Sequence, residues 1–177
     1  MPNGLSAENL KIEDIFRHYD DLIRAIHRYF DPADPHYAIT FAGERAADVQ
    51  ERYSERLREV ELSYSLTALA ALEALFMVDY MIRFKLKKKD AVSRALRPIY
   101  RRKKERAALI DDVLKTWNRN AVIPQRLYND IIRAFELRNW LAHGRWWVLK
   151  IGKPTYDFLS LYSLVSRAVG AFPLESA

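Results

Sequence analysis

The chain has 177 residues, which is the length of a single domain. Hydrophobic residues make up 50% and charged residues 29%, so the chain can bury a sizeable core and is not intrinsically disordered. It contains no cysteine, which excludes a disulfide framework, a thiolate zinc site and a cysteine nucleophile. The start lacks the basic and apolar regions of a secretion signal, so we expect a cytoplasmic protein without membrane attachment.

The positive charge is concentrated in one segment. The whole chain has a formal net charge of +6, whereas residues 83–106 hold 12 Lys or Arg against two acidic residues, a local charge of +10. Such a cluster suits a polyanion such as RNA, DNA or an anionic membrane surface. It is equally typical of a solvated helix face, and composition alone leaves both interpretations open.

The first half of the chain predicts two helices. The first covers roughly residues 7–30 and is ended by the DPADP sequence at 31–35. The second is about 40 residues long, because neither Gly nor Pro occurs between Gly43 and Pro98. Its part from 66 to 82 is apolar on nearly every side, yet it contains Glu73 and Asp79. These two acids and the short apolar stretch favour a buried central helix over a membrane span.

The second half of the chain predicts three more helices. A polar helix should run from about Asp90 to Trp117, disturbed at Pro98. Another opens at Pro124 and stops at Gly144, and a last one covers about 155–172. The sequence therefore predicts an all-α, up-and-down helical bundle forming one domain over 1–177, with an inserted basic helical segment at about 87–120.

The stretch FELRNWLAHGRWW, residues 135–147, carries the candidate chemistry. Arg138 and Asn139 fall where the apolar face of the helix should continue, and Asn139 shares a face with His143. A buried Arg needs a counter-charge, and Glu73 in the central apolar helix is the obvious one. We expect Glu73 either to pair with Arg138 or to orient His143. The alternative is that Glu73 lies at the rim of the bundle and reaches water.

These residues resemble the signature of the HEPN domains (higher eukaryotes and prokaryotes nucleotide-binding). That signature is an Arg, four residues and a His, often with Asn directly after the Arg, as at 138–143 here. The flanking Leu137 and Gly144 also look typical, and the ALEALF sequence at 71–76 resembles the family's earlier helix with its acidic residue. The segment 87–120 is not part of the family's core pattern.

The resemblance implies a metal-independent endoribonuclease without a cofactor. The RNA 2′-hydroxyl attacks the adjacent phosphate and leaves a 2′,3′-cyclic phosphate and a 5′-hydroxyl. Such proteins commonly act in toxin–antitoxin or phage-defence systems, and many are homodimers whose two motifs face one cleft. An antitoxin or another protein partner is therefore expected. Some members carry a Tyr two residues after the His that a partner nucleotidyltransferase modifies, but this chain has Arg145 there.

The residue types suit this reaction. The imidazole of His143 can act as general base or acid, and the planar fork of Arg138 fits phosphate oxygens. Asn139 can hold the phosphate or fix the tautomer of His143, with Glu73 in support. Since one chain offers one motif histidine, a symmetric dimer would supply both base and acid. The predicted RNA-binding residues are Lys87, Lys88, Lys89, Arg101, Arg102, Lys103, Lys104 and Arg145.

Two other functions remain open at this point. The chain can be a non-catalytic RNA-binding or dimerisation module that uses the basic segment, or a structural protein whose motif is a buried ion-pair network. Trp146 and Trp147 either stack on bases beside His143 or pack the helix end, and packing is the favoured interpretation. Tyr80 either lines the cleft or belongs to the core. The histidines at 18, 27 and 36 are too far apart around a helix to bind a metal together.

Overall fold

The computed structural model describes residues 10–150 and 156–176, and every regular element in these residues is a helix or a helical turn. The predicted all-α class is therefore confirmed. The helices are α1 (Ile12–Tyr29), α2 (Tyr37–Thr40), α3 (Ala46–Lys85), α4 (Ala91–Lys103), α5 (Lys115–Asn120), α6 (Gln125–Ala142) and α7 (Phe158–Ala171). A 3₁₀ turn, Lys104–Arg106, and a π-helical turn, Leu109–Leu114, connect α4 to α5.

The central element is α3, against which α1, α4, α6 and α7 all pack. Tyr19 of α1 contacts Tyr64, whereas His27 further along α1 contacts Tyr53, so α1 runs antiparallel to α3. The apolar stretch of α3 lies in the core, as predicted from its lack of a polar face. Its fully buried apolar residues are Ala68, Leu69, Leu72, Phe76 and Tyr80.

The last helix, α7, runs in the same direction as α3. Phe158 at its start lies against Tyr64, and Phe172 just after its end lies against Phe76. The carboxylate of Asp157 accepts a hydrogen bond from the amide of Ser160 at 2.7 Å and so caps the first turn. This cap explains why α7 begins at Phe158 rather than near 155, a position that lies outside the described residues.

Two helix boundaries differ from prediction at other points. The first helix begins at Ile12, after an extended Lys11, and the predicted start at 7 lies outside the described residues. In the basic segment we expected a break at Pro98, yet α4 runs through Pro98 and ends at Lys103. Pro98 is exposed, so the carbonyl that loses its amide donor faces solvent. The break comes instead at Lys104, whose φ of 50° turns the chain out of the helix.

Length and composition would also allow α3 to cross a membrane, and among the described helices it is the one that meets this criterion. However, 44% of its most apolar window is buried inside the protein. The core helix of a soluble protein passes the same test, so this observation is weak evidence for a span. The two acids inside the stretch, Glu73 and Asp79, both have partners within the protein.

The side chain of Arg83, near the end of α3, joins four parts of the fold. It is only 5% exposed, and its Nε donates to both carboxylate oxygens of Asp79, at 2.9 and 2.8 Å. Its Nη1 lies 3.2 Å from the Asp90 carboxylate at the start of α4, and its Nη2 donates to the carbonyl of Pro173 at 2.5 Å. The guanidinium also lies 4.6 Å from the ring of Trp117 in α5. One cation thus ties α3 to α4, α5 and the segment after α7.

The partner carboxylate, Asp79, is fully buried and accepts a further hydrogen bond from the amide of Glu175 at 2.7 Å. Burial raises the pKa of the Asp79 carboxyl, because the low-dielectric interior disfavours its charged form. The hydrogen bonds from Arg83 and Glu175 act in the opposite direction. The hydrogen bonds from the Arg83 guanidinium and from the Glu175 amide therefore compensate for the burial of the Asp79 carboxylate.

We predict that Arg83→Met lowers the free energy of unfolding by about 3–5 kcal/mol, because it leaves Asp79 buried without its counter-charge. Urea denaturation followed by circular dichroism measures this loss. The matched control is Arg94→Met, since Arg94 is exposed on the neighbouring helix α4 and should change stability by about 0.5 kcal/mol or less. Equal losses in the two variants would contradict the central role of Arg83.

Candidate functional site

Glu73 and Arg138 form an ion pair between α3 and α6. The guanidinium Nη2 of Arg138 lies 2.5 Å from the Glu73 Oε2, and the two side chains are 28% and 30% exposed. The sequence left three possibilities for Glu73: a pair with Arg138, an orienting contact with His143, or a position at the rim of the bundle. The structure shows the pair with Arg138. The partnership explains how the apolar helix α3 tolerates a carboxylate at this position.

The pair lines a cavity of about 250 Å³. The wall opposite α3 and α6 is the start of the π-helical turn, residues 108–111, and the remaining lining residues are Phe135 and Asn139. This wall belongs to the segment at about 87–120, which the sequence predicts to be an insertion. The segment therefore reaches the predicted site residues and shapes the space in front of them.

Asp112 fixes the position of this wall. Its carboxylate accepts a hydrogen bond from the amide of Ala108 at 2.7 Å and binds the ammonium of Lys103 at 2.6 Å. Burial acts to raise the pKa of Asp112, but the hydrogen bonds from Lys103 and Ala108 outweigh it and lower the pKa below its usual value. The anionic form of Asp112 thus holds the 108–111 backbone against α4.

The guanidinium of Arg138 has a donor to spare. Its Nη1 donates to the side-chain oxygen of Asn139 at 3.2 Å and its Nη2 binds Glu73, but its Nε is buried and has no hydrogen-bond partner among the described residues. A buried N–H without an acceptor costs free energy, so such a group calls for a functional or structural reason. Here the group belongs to a side chain that lines the cavity.

His143 occupies the end of α6 and is exposed. The helix closes there with two bonds, from the Gly144 amide to the Leu141 carbonyl and from the Arg145 amide to the Trp140 carbonyl. Gly144 adopts a φ of +82°, which confirms the predicted stop. The imidazole lies 6.4 Å from the ring of Trp147 and does not line the cavity of Arg138. The structure thus brings together Glu73, Arg138 and Asn139 but leaves His143 outside their cavity.

Arg145 has a partner that the sequence did not indicate. Its guanidinium donates to both carboxylate oxygens of Glu59 in α3, at 2.8 and 3.0 Å. These hydrogen bonds lower the pKa of Glu59. Arg145 also has a positive φ of 59°, which directs its side chain from the end of α6 back to α3. An RNA contact by Arg145 stays a prediction and requires this bidentate pair to open.

The structure places the other predicted RNA-binding residues in three different settings. Two are held in ion pairs, namely Lys88 with Glu175 at 2.9 Å and Lys103 with Asp112. Arg102 and Lys104 are exposed at the end of α4. The remaining three, Lys87, Lys89 and Arg101, line one cavity of about 500 Å³.

This cavity, which we call the α3–α4 pocket, also contains residues that sequence reasoning missed. Its full lining is Phe84, Lys85, Lys87, Lys89, Arg97 and Arg101. Arg97 and Arg101 are four residues apart, so they share one face of α4, and this spacing was a signal in the sequence. Phe84 had no such signal, because its role depends on stacking with Tyr100 across the two helices, at 3.9 Å between ring centroids.

The aromatic residues near the motif divide between core and surface. Tyr80 is fully buried and its hydroxyl donates to the carbonyl of Lys104 at 3.1 Å, so it belongs to the core; burial raises its pKa to about 12. Trp147 is half-buried and its carbonyl accepts a hydrogen bond from the Trp140 indole at 2.7 Å. Trp146, three residues after His143, is 80% exposed, so the favoured packing role holds for Trp147 and not for Trp146.

Among the described residues, no group of three potential metal ligands is found.

We predict that Asp112→Asn lowers the free energy of unfolding by about 1–2 kcal/mol at neutral pH. The loss is smaller than for a fully buried pair, because the Lys103 ammonium is partly exposed and water screens its attraction to Asp112. Since the folded pKa of Asp112 is lowered, this stabilisation is present above the unfolded value of about 3.9 and is lost as the pH falls through the folded value. Denaturation at pH 7 and near pH 2 measures the difference. Asp111→Asn, at the exposed neighbouring carboxylate, is the control, and an equal loss there would contradict the assignment.

The two ion pairs that join α3 to α6 and to the turn after it differ in burial, which predicts different coupling energies. For Glu73 and Arg138 we expect about 1 kcal/mol from a double-mutant cycle with Glu73→Gln and Arg138→Met, because both groups are mostly shielded from water. For Glu59 and Arg145, which are 53% and 38% exposed, we expect about half of that or less. Chemical denaturation of the single and double variants gives both values, and a stronger outer pair would contradict this order.

No family model, no curated protein and no solved structure matches this chain. The resemblance to the HEPN domains therefore rests on the residues at 71–76 and 137–144. Within the structure, those two stretches meet through the ion pair between Glu73 and Arg138. The function is argued below from that contact and from the charges around it.

Proposed function

We propose that the chain is a HEPN-like, metal-independent endoribonuclease in which Arg138, Asn139 and His143 act on the RNA phosphate and Glu73 positions Arg138. The observation that carries the proposal is the contact between the two stretches of the resemblance. An acid from the central apolar helix holds the motif arginine at a cavity, and the motif histidine lies one turn beyond on the same helix. The role fits a cytoplasmic toxin or defence protein with an antitoxin or another protein partner.

The chemistry requires few groups from the protein, because RNA supplies its own nucleophile. The 2′-oxygen forms a bond to phosphorus as the bond between phosphorus and the 5′-oxygen breaks. One imidazole accepts the proton of the 2′-hydroxyl, and an acid returns a proton to the departing 5′-oxygen. The guanidinium of Arg138 stabilises the charge that develops on the phosphate oxygens, and Asn139 adds a neutral donor. The products are a 2′,3′-cyclic phosphate and a 5′-hydroxyl.

A homodimer completes this scheme. His143 is exposed and stands outside the cavity of Arg138, so one chain does not present its base, its acid and its arginine to one phosphate. A second copy facing the first would supply the missing imidazole. The exposed Trp146 and Val148, each 80% accessible, follow His143 within five residues of the chain and offer apolar surface for such a contact.

One observation favours a second candidate, a non-catalytic RNA-binding module. Arg138 is occupied by Glu73 and Asn139, and the imidazole of His143 is not part of their hydrogen-bond network. In that case the motif stabilises the contact between α3 and α6, and the basic segment alone binds RNA. The two candidates differ in a single property, the cleavage of the bound strand.

The test is the cleavage of a labelled mixed-sequence RNA in the presence of EDTA, with the product ends mapped. We predict cyclic-phosphate and 5′-hydroxyl ends, and a rate about 100-fold or more lower in His143→Gln, since the variant loses proton transfer. Arg138→Lys should also be slow, because an ammonium lacks the planar fork. Each variant should keep the wild-type circular dichroism spectrum.

The matched control is His18→Gln, because His18 is exposed on α1 and lies far along the chain from the motif. It should cleave like the wild type. Unchanged cleavage by His143→Gln would overturn the proposed mechanism. A folded wild type that binds RNA in a salt-dependent manner without cutting it would establish the binding module instead.

A further inference from the structure

The α3–α4 pocket is a strongly positive concave surface. Five of its six lining residues are cationic and the sixth is Phe84, and none of the lining residues carries a carboxylate. The Phe84 ring stacks on Tyr100 at 3.9 Å with an interplanar angle of 18°, which covers one of its two faces. The pocket thus offers mainly positive charge to a ligand.

One cation of the pocket, Arg97, is held by the backbone. The Nη2 of Arg97 donates to the carbonyl of Lys88 at 2.7 Å, which ties the guanidinium to the turn between α3 and α4. Arg97 is half-buried, and Arg101 follows one turn later on the same face of α4. The Arg97 guanidinium is therefore positioned before any ligand arrives, which lowers the entropic cost of binding to it.

The turn itself carries strain at a lysine. Helix α3 closes with bonds from the Lys87 amide to the Phe84 carbonyl and from the Lys88 amide to the Arg83 carbonyl. In this closing motif the position of Lys87 normally holds glycine, because it requires a left-handed backbone, and Lys87 has a φ of +51°. A lysine is strained there relative to glycine, because its Cβ disfavours the left-handed conformation. The strained residue is one of the cations that line the pocket.

The pocket lies on the face of α3 that carries Glu73. Phe84 follows Glu73 by eleven residues, which is three helical turns and roughly 20°. The two positions are therefore about 16 Å apart along one side of the helix.

We propose that the α3–α4 pocket binds a backbone phosphate of the RNA strand, a few nucleotides from the phosphate held at Arg138. Guanidinium forks and ammonium groups around a concave site suit phosphate oxygens, and a contact with phosphate oxygens carries no information on base sequence. This inference rests on the proposed function. It adds an anchor that sets which part of the strand lies at the candidate catalytic residues.

The experiment uses a labelled single-stranded DNA oligonucleotide, which keeps the phosphates but lacks the 2′-hydroxyl and cannot be cleaved by the proposed reaction. Fluorescence anisotropy over a salt series gives its affinity for the full chain. We predict that Lys87→Gly and Arg101→Gln together weaken binding by about tenfold or more and make the slope of log K against log salt shallower by about 1.4. Arg94→Gln, which removes an exposed cation of α4 outside the pocket, should have a smaller effect.

Lys87→Gly separates binding from folding, because it should raise the melting temperature while it lowers affinity. A merely structural lysine would not give this opposite pair of changes. Equal losses in the pocket variants and in Arg94→Gln would overturn the proposal. Displacement of the oligonucleotide by an equal concentration of inorganic pyrophosphate, or tighter binding to anionic phospholipid vesicles, would also overturn it. Because no cleavage is measured, an inactive wild type that still binds through the pocket would reject the nuclease and keep the anchor.

Discussion

The position of the inserted segment depends on a buried cation, Arg83. Its donors bind Asp79, Asp90 and the carbonyl of Pro173, and its guanidinium lies over Trp117, so four separate stretches of chain converge on one side chain. An apolar residue there would leave the Asp79 carboxylate in the interior without compensation. Since α4 is attached through this network, the 108–111 wall of the Arg138 cavity and the cations of the α3–α4 pocket both depend on it. A structural ion pair far from the motif thus determines the shape of the candidate site.

The central helix uses its two internal acids in different ways. Asp79 finds its partner four residues on in the same helix, and the pair is fully buried, so it fixes the fold. Glu73 finds its partner across the bundle, in α6, and the pair remains about one-third exposed at a cavity. An ion pair that is fully buried makes the fold more rigid. An ion pair that lines a cavity can exchange one of its two partners for a ligand. This difference makes Glu73 and Arg138 the better functional candidates.

Local sequence signals predicted most of the helices and gave the Glu73–Arg138 contact as one of the alternatives for Glu73. The absence of Gly and Pro between 43 and 98 gave the length of α3, and the cost of a lone acid in an apolar helix indicated the pair. Contacts that depend on irregular backbone were not predictable. The role of Asp112 requires Ala108 and Lys103 to come together over an unusual π-helical turn, and Arg145 meets Glu59 only because two left-handed residues redirect the chain. Arg83 itself lay in the basic segment and was counted as surface charge, although its side chain is 5% exposed.

On the proposed function, the fold separates attraction of the strand from its chemistry. The positive charge of Arg138 is largely compensated by Glu73, so this residue contributes geometry and hydrogen-bond donors more than long-range attraction. A cluster of cations without a carboxylate in its lining forms the α3–α4 pocket, about 16 Å away on the same side of α3. An arginine without a nearby acid would hold any phosphate firmly, including the product. An arginine already paired with Glu73 binds the ground state weakly and retains its strongest interaction for the more highly charged transition state.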